Sequence, residues 1–152
     1  ENRSRILKEV IQKCRKAIGK KFPIFVRISC TDWADSGGYN LSQALVTSKI
    51  ANLAGADLID CSSGGTLPIT NPPLKEGYQI GFASKIRNTI GIPTAGVGLL
   101  SNPKKIENYI SEGKIDIALL GRELLRNPYW LFSAAAYFNE KSNIPKQYIR
   151  AY

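Results

Sequence analysis

The chain has 152 residues, 43% of them hydrophobic and 22% charged, which is the composition of an ordinary globular domain. Its net charge of +9 raises nucleic-acid binding as a function, but the lysines are scattered and no aromatic residues alternate with them, so we expect a solvated basic surface and no nucleic-acid partner. Histidine is absent, and the three cysteines (Cys14, Cys30 and Cys61) form no CxxC pair, so we expect no metal site and a reduced cytoplasmic protein. No apolar run is long enough to cross a membrane, so we expect no membrane contact.

Strand-like apolar runs alternate with helical patterns along the chain. The first segment, over 3–18, has apolar residues at helical spacing, and the run FPIFVRIS after it predicts a buried strand near 23–29. Further strands are predicted near 57–62, 93–97 and 115–120, with helices over 41–55, 78–91 and 102–113. The helical stretch that follows, over 122–138, is expected to break at Pro128, and a polar tail comes after it.

This alternation predicts a parallel sheet with helices packed over it. Right-handed crossovers place the carboxyl ends of all four strands at one edge, where the ligand sites of such folds lie. The chain has neither a GxGxxG motif after its first strand nor a Walker A loop, so a dinucleotide-binding fold is not favoured.

Glycines and an arginine follow the last two predicted strands. Gly96 and Gly98 stand in TAGVGLLSNP, and Gly121 and Arg122 follow IDIALL. Glycine lets a ligand approach backbone N–H groups, a helix that begins just after it directs further free N–H groups at the same point, and the arginine adds a positive fork. We predict a phosphate site between these two strands. The alternative is that the glycines only make tight turns.

Arg27 interrupts the apolar run of the first strand. Alternation puts it on the face of Ser29, opposite to that of Val26 and Ile28. An arginine in an apolar strand is costly unless it is paired or faces a ligand. Two interpretations stay open: contact with the ligand, or a buried ion pair, for which Asp60 is the candidate.

Five stretches carry a resemblance to a known family: FPIFVRIS, DLIDCSSGG, GYQIGFASKIR, GIPTAGVGLLSNP and LLGRELLRNPYW. In order and spacing they resemble the C-terminal half of the old yellow enzyme family, in its bacterial branch of FMN-dependent NADPH dehydrogenases, or ene-reductases. The family fold is an α/β (β/α)8 TIM barrel, so the resemblance implies that residues 1–152 supply about the last four β/α units, a half-barrel with a tail over 139–152. Methionine is absent as well, and we expect the chain to be a fragment of a longer polypeptide.

The resemblance also implies roles for individual residues. Arg27 matches an arginine beside the pyrimidine edge of the flavin, where negative charge builds up on reduction. Ser63 matches a residue near the ribityl chain, and Gly64 beside it is a further candidate for cofactor contact. Arg150, in the tail KQYIRAY, matches an arginine that enters the active site of a neighbouring subunit, which implies a homo-oligomer. The alternative for Arg150 is a disordered basic terminus.

Gly98, Gly121 and Arg122 match the phosphate cradle of FMN, in agreement with the phosphate site predicted above. The family's reaction would then use NADPH or NADH to reduce FMN, and the flavin would pass hydride to the β-carbon of an activated alkene such as an enone. The family's carbonyl-binding histidine pair (or histidine and asparagine) and its proton-donating tyrosine lie in the N-terminal half. We therefore expect the chain to need an N-terminal half-barrel as partner and to be inactive alone. An alternative is a free-standing half-barrel that binds a phosphorylated ligand without redox chemistry.

Overall fold

A computed structural model of the chain describes residues 2–68, 70–142 and 144–151. A short 3-10 turn, Asn2–Ser4, leads into the first helix, and a 3-10 helix, Lys146–Ala151, ends the described part. The elements between them are α1 (Arg5–Ile18), β1 (Phe25–Ser29), α2 (Leu41–Ala54), β2 (Leu58–Ser62), α3 (Ile80–Ile90), β3 (Thr94–Gly96), α4 (Pro103–Ser111), β4 (Ile117–Ala118), α5 (Arg122–Arg126) and α6 (Trp130–Tyr137).

The four strands form one parallel sheet in the order β1-β2-β3-β4. Arg27 of β1 lies opposite Asp60 of β2, which in turn lies opposite Ala95 of β3. The predicted fold of four consecutive parallel strands with intervening helices is therefore confirmed. The strands are shorter than predicted, above all β4. Among the described residues, β4 pairs with β3 alone, through Ile117 and Ala118.

The helices cover one face of the sheet. Alternate residues of β1 and β2 join the core that the helices form: Val26, Ile28, Ile59 and Cys61. Leu58 and Ala95 alternate onto the other face and lie outside that core. Phe25, on the same face, is 57% exposed. Helix α2 packs against both α1 and α3, so these three helices form a single layer on one side.

Two aspartates stabilise the amino-terminal edge of the sheet. Asp57, just before β2, accepts a hydrogen bond at 2.7 Å from the backbone N–H that precedes β1, and it pairs with Arg15 of α1. Asp116, just before β4, accepts one at 2.8 Å from the first N–H of β3, and it pairs with Arg87 of α3 at 3.0 Å. Asp57 thus connects α1, β1 and the start of β2, and Asp116 connects α3, β3 and the start of β4 in the same way.

Glycine and proline mark the helix ends where the sequence predicts them. Gly55 and Gly91 end α2 and α3 in the left-handed conformation, with φ of 110° and 78°. Pro128 stands between α5 and α6, which confirms the predicted break. Within the described ranges, no helix is long and apolar enough to span a membrane.

Candidate functional site

A cleft of about 320 Å³ opens at the carboxyl ends of the strands. It is lined by the end of β1, the end of β2, the start of α3, the loop after β3 and the turn that begins α5. Four of the six predicted cofactor residues lie in its wall: Arg27, Gly98, Gly121 and Arg122. The structure therefore brings together the groups that the strand-end argument placed at one edge.

Arg27 is the contribution of β1 to the cleft. Its Nη1 donates to Asp60 Oδ2 at 2.8 Å and its Nη2 donates to Ser62 Oγ at 3.0 Å, so the ion pair set out as an alternative is present. The arginine is not buried by this pair, because its side chain is 56% exposed whereas that of Asp60 is 16% exposed. Arg27 is thus held by the neighbouring strand and still faces the cleft, and the two interpretations of this residue do not exclude each other.

The uncompensated positive charge of the cleft lies at Arg122. Arg126 pairs with Glu123 at 2.6 Å and Arg27 pairs with Asp60, whereas Arg122 makes no ion pair or hydrogen bond with any residue that the structure describes. The lining holds three arginines and one glutamate, and together with Asp60, the partner of Arg27, they leave a net charge of +1. An unpaired guanidinium offers the fork of donors that a phosphate group matches.

The glycines at the strand ends differ in what surrounds them. At Gly121, with φ of −90°, an added Cβ would meet nothing within 4 Å, so the backbone there is open to a ligand. At Gly98 φ is +137°, and an added Cβ would come within 3.1 Å of the Tyr78 ring, so the fold itself requires this glycine. At Gly96 an added Cβ would lie 2.6 Å from Ile80, so this glycine lets α3 lie close to the sheet.

The N-terminus of α4 does not serve the cleft, contrary to what we expected of the helix that follows Gly98. The carboxylate of Glu76 accepts hydrogen bonds from the backbone N–H groups of Ser101 at 3.0 Å and Asn102 at 2.8 Å, and it pairs with Lys105 at 2.7 Å. Desolvation raises the pKa of Glu76, but the hydrogen bonds from Lys105 and the backbone outweigh it and lower the pKa to about 2. The anion position at this helix end is therefore filled by the protein's own carboxylate.

Ser63 and Gly64 lie beside the cleft and not in its lining. The Ser63 hydroxyl accepts a hydrogen bond from Trp33 Nε1 at 2.9 Å and donates one to Gln79 Oε1 at 2.5 Å, so its hydrogen is engaged within the protein. Gly64 has φ of +69°, and a Cβ there would stand 3.3 Å from the Trp33 ring. These two residues thus lie next to the lining, and their contact with a cofactor stays a prediction.

Two further residues, Ser62 and Gln79, line the cleft but were not among the predicted site residues. Ser62 alternates onto the face of Arg27, so the period of β2 was a signal that could have selected it in place of Ser63. Gln79 precedes α3, is only 3% exposed and donates from Nε2 to the Val97 carbonyl at 3.2 Å. Nothing in the local sequence distinguishes this glutamine from a solvated residue at the start of a helix.

Arg150 lies in the exposed 3-10 helix Lys146–Ala151, outside the lining of the cleft. Its role in a neighbouring subunit stays a prediction. No group of three or more histidine, cysteine, aspartate or glutamate side chains able to hold a metal ion occurs among residues 2–68, 70–142 and 144–151.

Comparison with known proteins gives relatives along the whole chain. The chain is 38% identical over 151 residues to the NADPH dehydrogenase of Listeria monocytogenes, 37% over 154 residues to that of Clostridium acetobutylicum and 39% over 152 residues to that of Halalkalibacterium halodurans. These alignments cover 99% or 100% of this chain but 44% of each relative. The chain thus spans a little under half the length of the relatives that it matches.

Solved structures resemble the chain in fold. It superposes on histamine dehydrogenase from Rhizobium sp. 4-9 with a TM-score of 0.75 at 24% identity, over 90% of this chain and 20% of that one. It superposes on 2-naphthoyl-CoA reductase with a TM-score of 0.78 at 23% identity, over 92% of this chain and 22% of that one. At this identity the likeness concerns the architecture alone, the parallel α/β fold found in TIM-barrel oxidoreductases.

The sequence pattern of one family covers residues 1–141, which is most of the chain. Together with the NADPH dehydrogenases it confirms the resemblance that the five sequence motifs carry. The chain belongs to the NADH:flavin oxidoreductase / NADH oxidase family.

Proposed function

We propose that the chain is the C-terminal half of an FMN-dependent NAD(P)H oxidoreductase and that its cleft binds the phosphate end of FMN. The observation that carries this proposal is the unpaired guanidinium of Arg122 beside the open backbone of Gly121. Family membership supports a flavin as the ligand. The single helix layer and the strand order β1-β2-β3-β4 support a barrel segment, because the helices of a doubly wound sheet cover both of its faces.

The residues of the cleft fit a phosphate monoester. Arg122 supplies a planar donor fork, and the space over Gly121 would be filled by any larger side chain. The N–H of Gly98 has no hydrogen-bond partner among the described residues, so it is available as a further donor. The unpaired positive charge of Arg122 complements a phosphate, which carries close to two negative charges at neutral pH.

Arg27 would serve the flavin ring. Its guanidinium is fixed by Asp60 and Ser62 and stays 56% exposed, so its N–H donors would favour the negative charge that reduction places on the pyrimidine ring. FMN, when bound, would supply hydride transfer from NADPH or NADH to an activated alkene such as an enone. The part of the chemistry assigned to this chain is therefore binding and electrostatic stabilisation.

The rest of the polypeptide would complete the active site. This chain has no histidine, and it aligns with 44% of the length of its relatives. We therefore assign the carbonyl-binding residues and the proton donor to an N-terminal half-barrel. The isolated chain would then reduce no alkene. In a homo-oligomer, Arg150 would contribute to the site of a neighbouring subunit.

A phosphate-binding half-barrel without redox activity is the second candidate, since the same cleft would accept other phosphate monoesters. The visible spectrum of the whole polypeptide that carries this chain separates the two. We expect flavin absorption bands and the release of one FMN per chain on denaturation. A colourless protein that binds inorganic phosphate and takes up no FMN would contradict the oxidoreductase and support the second candidate.

A further inference from the structure

Gln79 connects three of the segments around the cleft. Its side chain accepts a hydrogen bond from Ser63 Oγ at 2.5 Å and donates one to the Val97 carbonyl at 3.2 Å. Gln79 itself is only 3% exposed. Ser63 in turn accepts from Trp33 Nε1 at 2.9 Å. This chain of bonds runs from the loop after β1, past the end of β2, to the loop after β3.

The loop after β3 is held at two consecutive carbonyls. Gln79 binds the carbonyl of Val97, and the carbonyl of Gly98 accepts from the N–H of Gly77 at 2.7 Å. In a trans peptide unit the N–H points away from the C=O, so the bond to Val97 turns the N–H of Gly98 in the opposite direction from Gln79. Gly98 lines the cleft, and among the described residues nothing accepts a hydrogen bond from that N–H.

The same loop holds a backbone conformation that is unfavourable in isolation. Gly98 has φ of +137°, and Leu99 has φ of +54°, in the left-handed region that a non-glycine residue enters only at a cost. Such a conformation persists only where the surrounding contacts determine it strongly. The two carbonyl bonds are contacts of that kind.

We propose that Gln79 is a positioning residue for phosphate recognition: by fixing the peptide unit between Val97 and Gly98, it presents the Gly98 N–H to the phosphate beside Arg122. This inference rests on the proposed function, which assigns the phosphate to this cleft. A methionine or leucine would fill the space of Gln79 without the desolvation of an amide, so packing does not account for a buried glutamine here. Its hydrogen bonds to Ser63 and to the Val97 carbonyl do account for it, and the second of them sets the orientation of the peptide unit.

The test compares FMN with riboflavin, which lacks the phosphate, so the ratio of the two affinities isolates phosphate recognition. In the whole polypeptide, Gln79→Met keeps the length of the side chain and removes both of its hydrogen bonds. We expect the preference for FMN over riboflavin to fall about tenfold, as for loss of a hydrogen bond to a charged group, with riboflavin affinity unchanged. The matched control is Ser48→Ala, which removes another buried hydrogen bond, to the Ala44 carbonyl at 2.8 Å in α2, and should leave the ratio unchanged.

A folded Gln79→Met variant with the parent ratio would overturn the positioning role. If the parent protein binds FMN and riboflavin equally well, the phosphate site of the proposed function is wrong instead. Where Gln79→Met does not fold, the amide resonance of Gly98 in the isotope-labelled parent protein decides the matter. A shift with FMN that riboflavin does not produce supports the inference, and equal shifts with the two ligands contradict it.

Discussion

The arginines that contact the sheet differ in whether a carboxylate faces them. Arg15, Arg27 and Arg87 each pair with an aspartate on or just before a strand, so their charges are compensated within the fold. Arg122 has no such partner in the part of the chain that the structure describes. Its guanidinium contributes nothing visible to the fold and remains available for an external anion, so an effect of Arg122 on ligand binding can be separated from an effect on stability.

Replacing Arg122 by alanine should therefore weaken FMN binding without destabilising the protein. We expect a loss of about 1.5–3 kcal/mol of binding free energy, the range for hydrogen bonds to a charged group. Titration of the apoprotein with FMN, followed by flavin fluorescence, measures it. Arg5→Ala removes the same charge from an exposed position on α1, outside the cleft, and should leave FMN affinity nearly unchanged. Equal affinities of the Arg122→Ala variant and the parent would remove Arg122 from the site.

Alanine at the two cleft glycines should separate ligand binding from folding. Gly121→Ala places its Cβ in open space, so we expect the free energy of unfolding to change by less than about 0.5 kcal/mol while FMN affinity falls. Gly98→Ala forces a positive φ on alanine and brings its Cβ against Tyr78, so it should cost on the order of 1–3 kcal/mol of stability. Thermal unfolding and FMN titration of both variants test this. The opposite pattern would show that Gly121 is the structural glycine.

The residues of the cleft could be predicted from sequence to the extent that strand ends determine them. Arg27, Gly98 and Gly121 follow from the rule that parallel strands end at one edge. That rule does not choose between Ser62 and Ser63. The alternation of β2 does, because neighbouring strand residues point to opposite faces. The register shows the outcome, since Ser62 lies opposite Ser29 of β1 and accepts a hydrogen bond from Arg27.

At the scale of elements, carboxylates hold the ends of strands and helices in place. A hydrogen bond from the backbone N–H of Ile24 lowers the pKa of Asp57, and the hydrogen bond from Arg87 lowers that of Asp116. Glu76 does the same for the start of α4, with a pKa of about 2. These contacts lie away from the lining of the cleft, so the elements are stabilised by residues other than those proposed to bind the ligand.

The pH dependence of stability should follow from these three carboxyl groups. Each has a folded pKa below its unfolded value near 4, so the stability that it contributes is present above about pH 4 and is lost as the pH falls towards the folded pKa. We expect the free energy of unfolding to fall between about pH 4.5 and pH 2. Glu76→Gln should lower stability at pH 7 by on the order of 1 kcal/mol, as for loss of a helix cap, and flatten this fall. Urea unfolding at pH 7 and pH 3 measures both effects, with Glu9→Gln on the exposed side of α1 as control; a parent-like slope in Glu76→Gln would contradict the assignment.

The positions of the helices and strands could be predicted because the spacing of apolar residues and the glycines at helix ends are local signals. The contact between Glu76 and the start of α4 was not, because it joins residues about 25 positions apart and depends on how the loop before α3 folds back. That contact explains why the helix after Gly98 does not direct its N–H groups into the cleft. The short length of β4 was not predictable either, since the apolar run IDIALL is longer than the two residues that pair with β3.

For the whole molecule, the important feature is a sheet with two edges and one face without a helix layer. Within the part of the chain that the structure describes, β1 and β4 each have a neighbouring strand on one side only, so their backbone groups on the other side are open to pairing. On the face opposite the helices, Phe25 is 57% exposed and Ile117 is 39% exposed. The net charge of +9 opposes association, but at physiological salt it is screened beyond about 8 Å.

The isolated 152-residue chain should therefore associate with itself unless the remaining polypeptide is present to cover the edges and the face, and it should show no alkene reduction. Sedimentation velocity at low micromolar concentration measures the association, with and without the separately produced N-terminal part. Phe25→Lys places a charge on the uncovered face and should shift the chain towards monomer, because burying that charge against a second copy is costly. Leu53→Lys, at a residue of α2 that is 77% exposed on the helix side, is the matched control and should leave the association unchanged. A monomeric parent chain that binds flavin and turns over at full rate would contradict both the assignment of the uncovered face to the rest of the barrel and the division of the active site between the two halves.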